Sequence, residues 1–389
     1  MKNCKKTLCA ITATIMLLTL TACGDSQNIS TSSDSSSSSS EYTSPVDKEP
    51  ADDFNFTEDK DLGGLIITKY IGNETKVTVP AEIDGKKVVR IEDCAFAGCT
   101  EITSVTIPNS VKEIGYGAFK ECTSLTSVTI PNSISEIAMW SFYNCSGLTD
   151  ITIPNSVSVI QENAFYGCSG LTSVSIPNSV SVIKNSAFYD CSELNEITIP
   201  NGVTEIGDCV FSGCFGLKSV AIPDSVTSIG KYAFSGCSGL KNITIPESVK
   251  TISAGLFQNC HGLESISLPE SINEIGGYAF SGCTALTSIT IPENVYTIDH
   301  DAFLGCFSLT SITIPERVSK IGKNAFSDCI GLISVTIPDN IRELGYYSFS
   351  GCNAVVYCQG IAYGPQYTES LCEVINFFDG YSKFLSEVS

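Results

Sequence analysis

The sequence predicts a repeat solenoid of the α/β type: about twelve coils, each placing one short strand in a parallel β-sheet and returning by an outer turn. Three columns of residues predict it. Prolines stand at 108, 131, 154, 177, 200, 223, 246, 269, 292, 315 and 338, each 23 residues after the last. Phenylalanine recurs at the same interval from Phe96 to Phe349, and cysteine from Cys99 to Cys352. With so short a fixed period, each repeat is one supersecondary unit that can bury its apolar face only against its neighbours.

The first segment sets the compartment. Lys2, Lys5 and Lys6 precede an apolar run from Leu8 to Leu20, then Thr21 and Ala22, the pattern of a secretory leader over 1–22. The run is shorter than the ~20 residues that span a bilayer. Leu20-Thr21-Ala22-Cys23 resembles the bacterial lipobox, which implies lipidation at Cys23 and a protein held by its lipid at the extracytoplasmic, cell-surface side of a membrane. Residues 23–53 are serine-rich, with an unbroken run from Ser35 to Ser40, and too poor in apolar side chains to offset the entropy of ordering. They read as a flexible tether.

Residues 54–98 read as an N-terminal cap and an atypical first turn. Pro80 lies 28 residues before Pro108, five more than the period, and the excess includes a hairpin-like Asp84-Gly85. From 99 to 352 the period holds. In Ser127-Val128-Thr129-Ile130 the apolar residues alternate with hydroxyls, so Val128 and Ile130 face inward in an extended strand. Pro131 cannot donate to a ladder and ends the strand at the same place in every coil. Leu125, Ile134, Ile137 and Phe142 fill the space beneath. The return path, with Gly115, Gly117 and Ala118 before Phe119, suits a tight turn, a 3₁₀ turn or a short helical segment. After Cys352 the period lapses, and 353–389 read as a C-terminal cap, which a solenoid needs to cover its open end.

The run from Ile107 through Pro108, Val111, Ile114, Gly115, Ala118, Phe119 and Cys122 to Leu125 carries the unit Ile-Pro-x-x-Val-x-x-Ile-Gly-x-x-Ala-Phe-x-x-Cys-x-x-Leu. This unit resembles the repeat of the BspA-like (Treponema-type) bacterial surface leucine-rich repeat family, over roughly residues 77 to 357. The resemblance implies a leucine-rich repeat horseshoe and a surface-exposed binding or adhesion protein without shared catalytic residues. Together with Cys23 it implies a lipoprotein member of that family.

Composition narrows the chemistry. Lys and Arg number 22 against 42 Asp and Glu, a net charge of −20 that argues against binding nucleic acid phosphates. Loss of the three leader lysines makes the remainder more acidic still. The unbroken proline column leaves no inserted catalytic loop, and no phosphate loop, Gly-x-Ser-x-Gly or His-Glu-x-x-His occurs. With two histidines in the chain, the triplet Asp299-His300-Asp301 invites an acid–base or metal reading, but adjacent side chains diverge and the triplet reads as a solvated turn. No catalytic residue, metal site or cofactor is expected.

Twelve of the 19 cysteines form the column and read as buried free thiols whose S–H meets a turn carbonyl. Cys358 and Cys372 in the closing segment are a candidate disulfide.

Two surfaces are candidates for a partner. The sheet face presents hydroxyls, among them Ser127, Thr129, Thr152 and Thr198; these are also ordinary exposed strand residues. On the outer path Tyr143, Tyr166 and Tyr189 share one repeat position in successive coils, with Trp140 near them. A tyrosine stripe is either partly buried packing or a recognition patch for protein or glycan. The functional expectation is a monomeric cell-surface module that binds an extracellular protein or a glycan, touching the membrane only through its lipid. An envelope spacer without a specific ligand is the alternative, and a hydrolase ranks last.

Overall fold

The computed structural model describes residues 50–61, 63–358 and 361–363. Cys23, the leader and all of the tether before residue 50 lie outside these residues. So do Cys372, most of the closing segment and the side chain of Cys358, and with them the candidate disulfide.

The described residues form a β-solenoid of about 13 turns of roughly 23 residues. Each coil has three sides. The first is a three-residue strand such as Ser127–Thr129, exposed–buried–exposed as alternation requires, with Val128 turned into the core. Successive strands pair in parallel and in register, Ser104 with Ser127 and Thr106 with Thr129. The proline follows one residue beyond the strand and its carbonyl accepts the turn bond, as from Ile134 N–H to Pro131.

The second side is a further parallel ladder that the sequence did not announce. Two-residue strands such as Val159–Ile160 and Val182–Ile183 pair coil to coil, so the isoleucine read as filler beneath one sheet is a rung of another. The third side is a stack of turns. Here N–H groups of one coil reach carbonyls of the next, as from Phe142 to Ala164 at 2.9 Å and from Asn144 to Tyr166 at 2.7 Å.

The outer path contains no helix among the described residues, where a 3₁₀ or short helical segment was one of the expected forms; the one 3₁₀ segment, Pro50–Asp53, precedes the repeats. The reason is conformational. Two positions in every coil are left-handed: the register of Trp140 (φ 58°) and, four residues on, that of Asn144 (φ 56°). A right-handed helix cannot pass through either.

The core is one continuous column. Phe96 through Phe349 are all essentially without solvent exposure. From Phe119 to Phe349 the rings stack almost parallel with centroids 5.1 to 5.9 Å apart, each pair contributing about 0.5–1.5 kcal/mol beyond its buried area. At the N-terminal end Tyr70 stacks on Phe96 at 5.4 Å and extends the column by one ring.

Both ladders begin in the residues before the first full repeat. Lys76–Thr78 pairs in parallel with Ser104–Thr106, and Lys86–Ile91 with Glu113–Ile114. The Asp84-Gly85 hairpin is present, with φ of 51° and 74° as a two-residue hairpin turn requires, joining Glu82–Ile83 to the start of Lys86–Ile91. Outermost, Phe54–Asp59 runs antiparallel to Gly64–Tyr70. At the other end Val355–Cys358 pairs in parallel with Ser334–Ile337, and Ile361–Tyr363 returns antiparallel to it.

A candidate partner-binding surface

The repeat register brings Tyr143, Tyr166 and Tyr189 onto successive coils, and their rings stack. Tyr143 and Tyr166 lie 4.9 Å apart at 15°, and Tyr166 and Tyr189 4.6 Å apart at 8°. Trp140 joins them edge-on to Tyr143 at 6.4 Å, and beyond it Tyr116 packs against the indole at 4.8 Å. The Nζ of Lys120 sits over the outer face of Tyr143, 5.4 Å from its centroid, and also pairs with Glu121. The result is a run of five aromatic side chains across four coils.

The four expected residues are therefore together, and Tyr116 is the member that sequence reasoning missed. Its register neighbours are Met139, Glu162 and Asn185, so no column marks it. It enters the run because Trp140 leans back to it. Both faces of Tyr166 are covered by tyrosines and the residue is half-buried, so a partner meets ring edges there and not an open face.

Trp140 occupies a strained position. Its register is left-handed throughout, held by Cys94, Gly117, Asn163, Ser186, Cys209, Gly255, Asp301 and Asn324 in other coils, yet also by Tyr232, Tyr278 and Tyr347. The left-handed register of Asn144 carries only Gly, Asn, Asp and Glu121. A bulky aromatic side chain in this conformation costs on the order of 1–3 kcal/mol, so backbone geometry does not select the four aromatics.

The hydroxyl face is less continuous than the sequence suggests. Ser127 and Thr129 pair with the coil before them, and Thr152 with Ser175 in the coil after. Between Ser127–Thr129 and Asp150–Thr152 the ladder is open, leaving a depression lined by Thr129, Asn132, Asp150 and Asn155. Thr198 lies in the same block as Thr152, opposite Ala221.

The triplet at 299–301 corrects the expectation of a solvated turn. His300 and Asp299 are partly exposed and 3.2 Å apart, but Asp301 is buried, at 7% exposure. The left-handed turn aims it inward, where Asn324 Nδ2 donates to it at 3.0 Å. Among the described residues no group of three or more His, Cys, Asp or Glu side chains is placed to hold a metal ion.

The chain matches the family model described as BspA type Leucine rich repeat region (6 copies) over residues 73–192, 158–287, 204–330 and 297–359. It belongs to the BspA-type leucine-rich repeat family. A solved leucine rich cell surface protein from Faecalibacterium prausnitzii A2-165 is similar to this BspA-type chain at 31% identity, covering 79% of this chain and 94% of that one with a TM-score of 0.52. The pneumococcal vaccine antigen PcpA is similar in fold at 23% identity, covering 79% and 84% with a TM-score of 0.57. A leucine-rich repeat protein from Bacteroides ovatus aligns at 28% identity over 81% and 100%, with a TM-score of 0.46. No curated protein matches the chain significantly. No helix among the described residues is long and apolar enough to cross a membrane.

Proposed function

We propose that this BspA-type solenoid is a lipid-anchored cell-surface module that binds an extracellular protein through the run from Tyr116 to Tyr189. The contiguity of its five rings carries the reading. Aromatic side chains with a neighbouring cation form the kind of patch enriched at protein contacts, and the hydroxyl face offers neither. A protein is favoured over a glycan because both faces of Tyr166 are occupied, so stacking of a sugar ring there is unavailable. The anchor rests on Leu20-Thr21-Ala22-Cys23, and the cell-surface role on the family and on the Faecalibacterium relative.

The test is binding of the secreted chain to an array of purified matrix proteins and glycans, with and without Tyr143, Tyr166 and Tyr189 changed to alanine. Binding of one protein that the triple variant loses supports the reading. Binding of glycans alone refutes the protein partner, and binding of nothing leaves the envelope-spacer role. Separately, Cys23→Ala is expected to release the chain from the membrane fraction; unchanged retention sinks the anchor.

A further inference from the structure

A second group of rings lies in coils the stripe does not use. Tyr232 and Tyr278 hold the left-handed register two coils apart, with Gly255 between them in the same register. A side chain at Gly255 would collide with the Tyr232 ring, and one at Gly277 with the His300 ring, so both rings lie over bare backbone. Tyr232 thus leans forward toward Tyr278 while His300 leans back onto it, meeting its ring at 90° with centroids 5.0 Å apart. The buried Asp301 carboxylate adjoins Tyr278. It raises the Tyr278 phenol above its ordinary range, first by its charge, then with help from burial, contact with the hydroxyl and the nearby Tyr232. None of the ion pairs among the described residues includes Asp301.

A buried carboxylate held by neutral partners lacks a counter-charge, and aromatic rings gathered beside it attract cations. We propose that Tyr232, Tyr278 and His300 form a binding site, backed by Asp301, for a primary alkylammonium group, the head of a lysine side chain on a partner polypeptide. Glycines at 255 and 277 stand where the Tyr232 and His300 rings must lie, and His300 meets the Tyr278 ring edge-on. The net charge of −20 draws a cationic partner toward the chain. The site stands on its own residues and does not depend on the aromatic run at Trp140.

With only His261 and His300 in the chain, proton NMR reads the site directly. The full chain at pH 8 and constant ionic strength is titrated with n-butylammonium and, separately, with neutral 1-butanol; His261→Gln assigns the two imidazole signals. The expected result is a saturable shift of the His300 Cε1 proton with butylammonium, no shift at His261, and a much weaker response to butanol. Asp301→Asn keeps the fold, because asparagine already holds this register at 163 and 324. It is expected to weaken butylammonium binding about fivefold or more, as is Tyr278→Leu. A silent His300, an equal response to butanol, or full affinity in Asp301→Asn overturns the proposal.

Discussion

Cys168 donates its thiol hydrogen to the carbonyl of Phe142, 3.1 Å away and 26 residues earlier in the chain. The bond recurs coil by coil, from Cys122 to Phe96 at 3.1 Å through Cys352 to Phe326 at 2.9 Å. The Phe142 carbonyl also accepts the N–H of Cys145 at 3.1 Å, so the thiol is its second donor and the cysteine is a small apolar residue with one donor in the right place.

Burial pushes the thiols of Cys122 and Cys260 up to about 12. The raised value means that the fold favours the protonated form. The stability this contributes is fully present below the unfolded thiol pKa, near 9, and is lost as pH rises from there through about 12. Alkaline unfolding is therefore expected inside that window, with thiolate absorbance rising together with loss of circular dichroism. Thiolate appearing well before the structure is lost contradicts this. Cys99, the first of the column, is only partly buried, unlike the eleven that follow. At pH 8 the column from Cys122 to Cys352 is expected to be inert to a disulfide reagent while the exposed Cys94 reacts; rapid native labelling of Cys168 or Cys237 counts against it.

Tyr166 stacks on tyrosines at both faces, so Tyr166→Ala removes two ring pairs and is expected to cost about 1–3 kcal/mol. Tyr166→Phe keeps both stacks and should stay within about 0.5 kcal/mol of the parent. Urea unfolding distinguishes the two. An equal loss in both variants would place the energy in the hydroxyl and not in the stacking.

How much of this was legible in the sequence depends on whether a position repeats in chemistry or only in geometry. Val128, Phe142 and Cys145 repeat in chemistry, so the strand, the core and the thiol column follow from the 23-residue interval alone. The left-handed register repeats only in backbone angle: Trp140, Asn163, Ser186 and Cys209 share no property that a pattern can catch. The second ladder was hidden differently. Glu136–Ile137 is two residues long, and one buried isoleucine among polar neighbours carries no alternation to read. Of the candidate surface, the tyrosine column was legible, whereas Tyr116 and the inward turn of Asp301 depend on how single side chains lean.

Tyr347 tests whether the left-handed aromatics are strained. It is half-exposed at φ 60° and makes none of the ring contacts that hold Trp140 or Tyr278. Tyr347→Asn relieves the backbone at little packing cost and is expected to raise stability by about 1 kcal/mol. A fall in the urea midpoint would show that Tyr347 packs better than its exposure implies. The same exchange at Tyr278 should also ease the backbone, but it removes the ring under His300, so its stability gain comes with loss of the alkylammonium response.

The open steps in the ladders mark where the solenoid should loosen first. Thr172 N–H donates to Thr149 O at 2.9 Å and Ser158 N–H to Ser135 O at 2.9 Å, while among the described residues no equivalent bond reaches from Thr149 to Thr126 or from Ser135 to Lys112. The coil of residues 126–148 is thus tied by its first strand only to the coil before and by its second only to the coil after. Its turn side stays bonded both ways, from Gly117 to Met139 and from Trp140 to Glu162. Local opening draws on regions whose backbone bonds are fewest, so the amides of Ser135 and Thr149 are expected to exchange with solvent at least tenfold faster than those of Ser158 and Thr172. Residue-resolved hydrogen exchange measures this directly. Equal protection at the two pairs would mean that the core column, and not the ladders, sets the local stability of each coil.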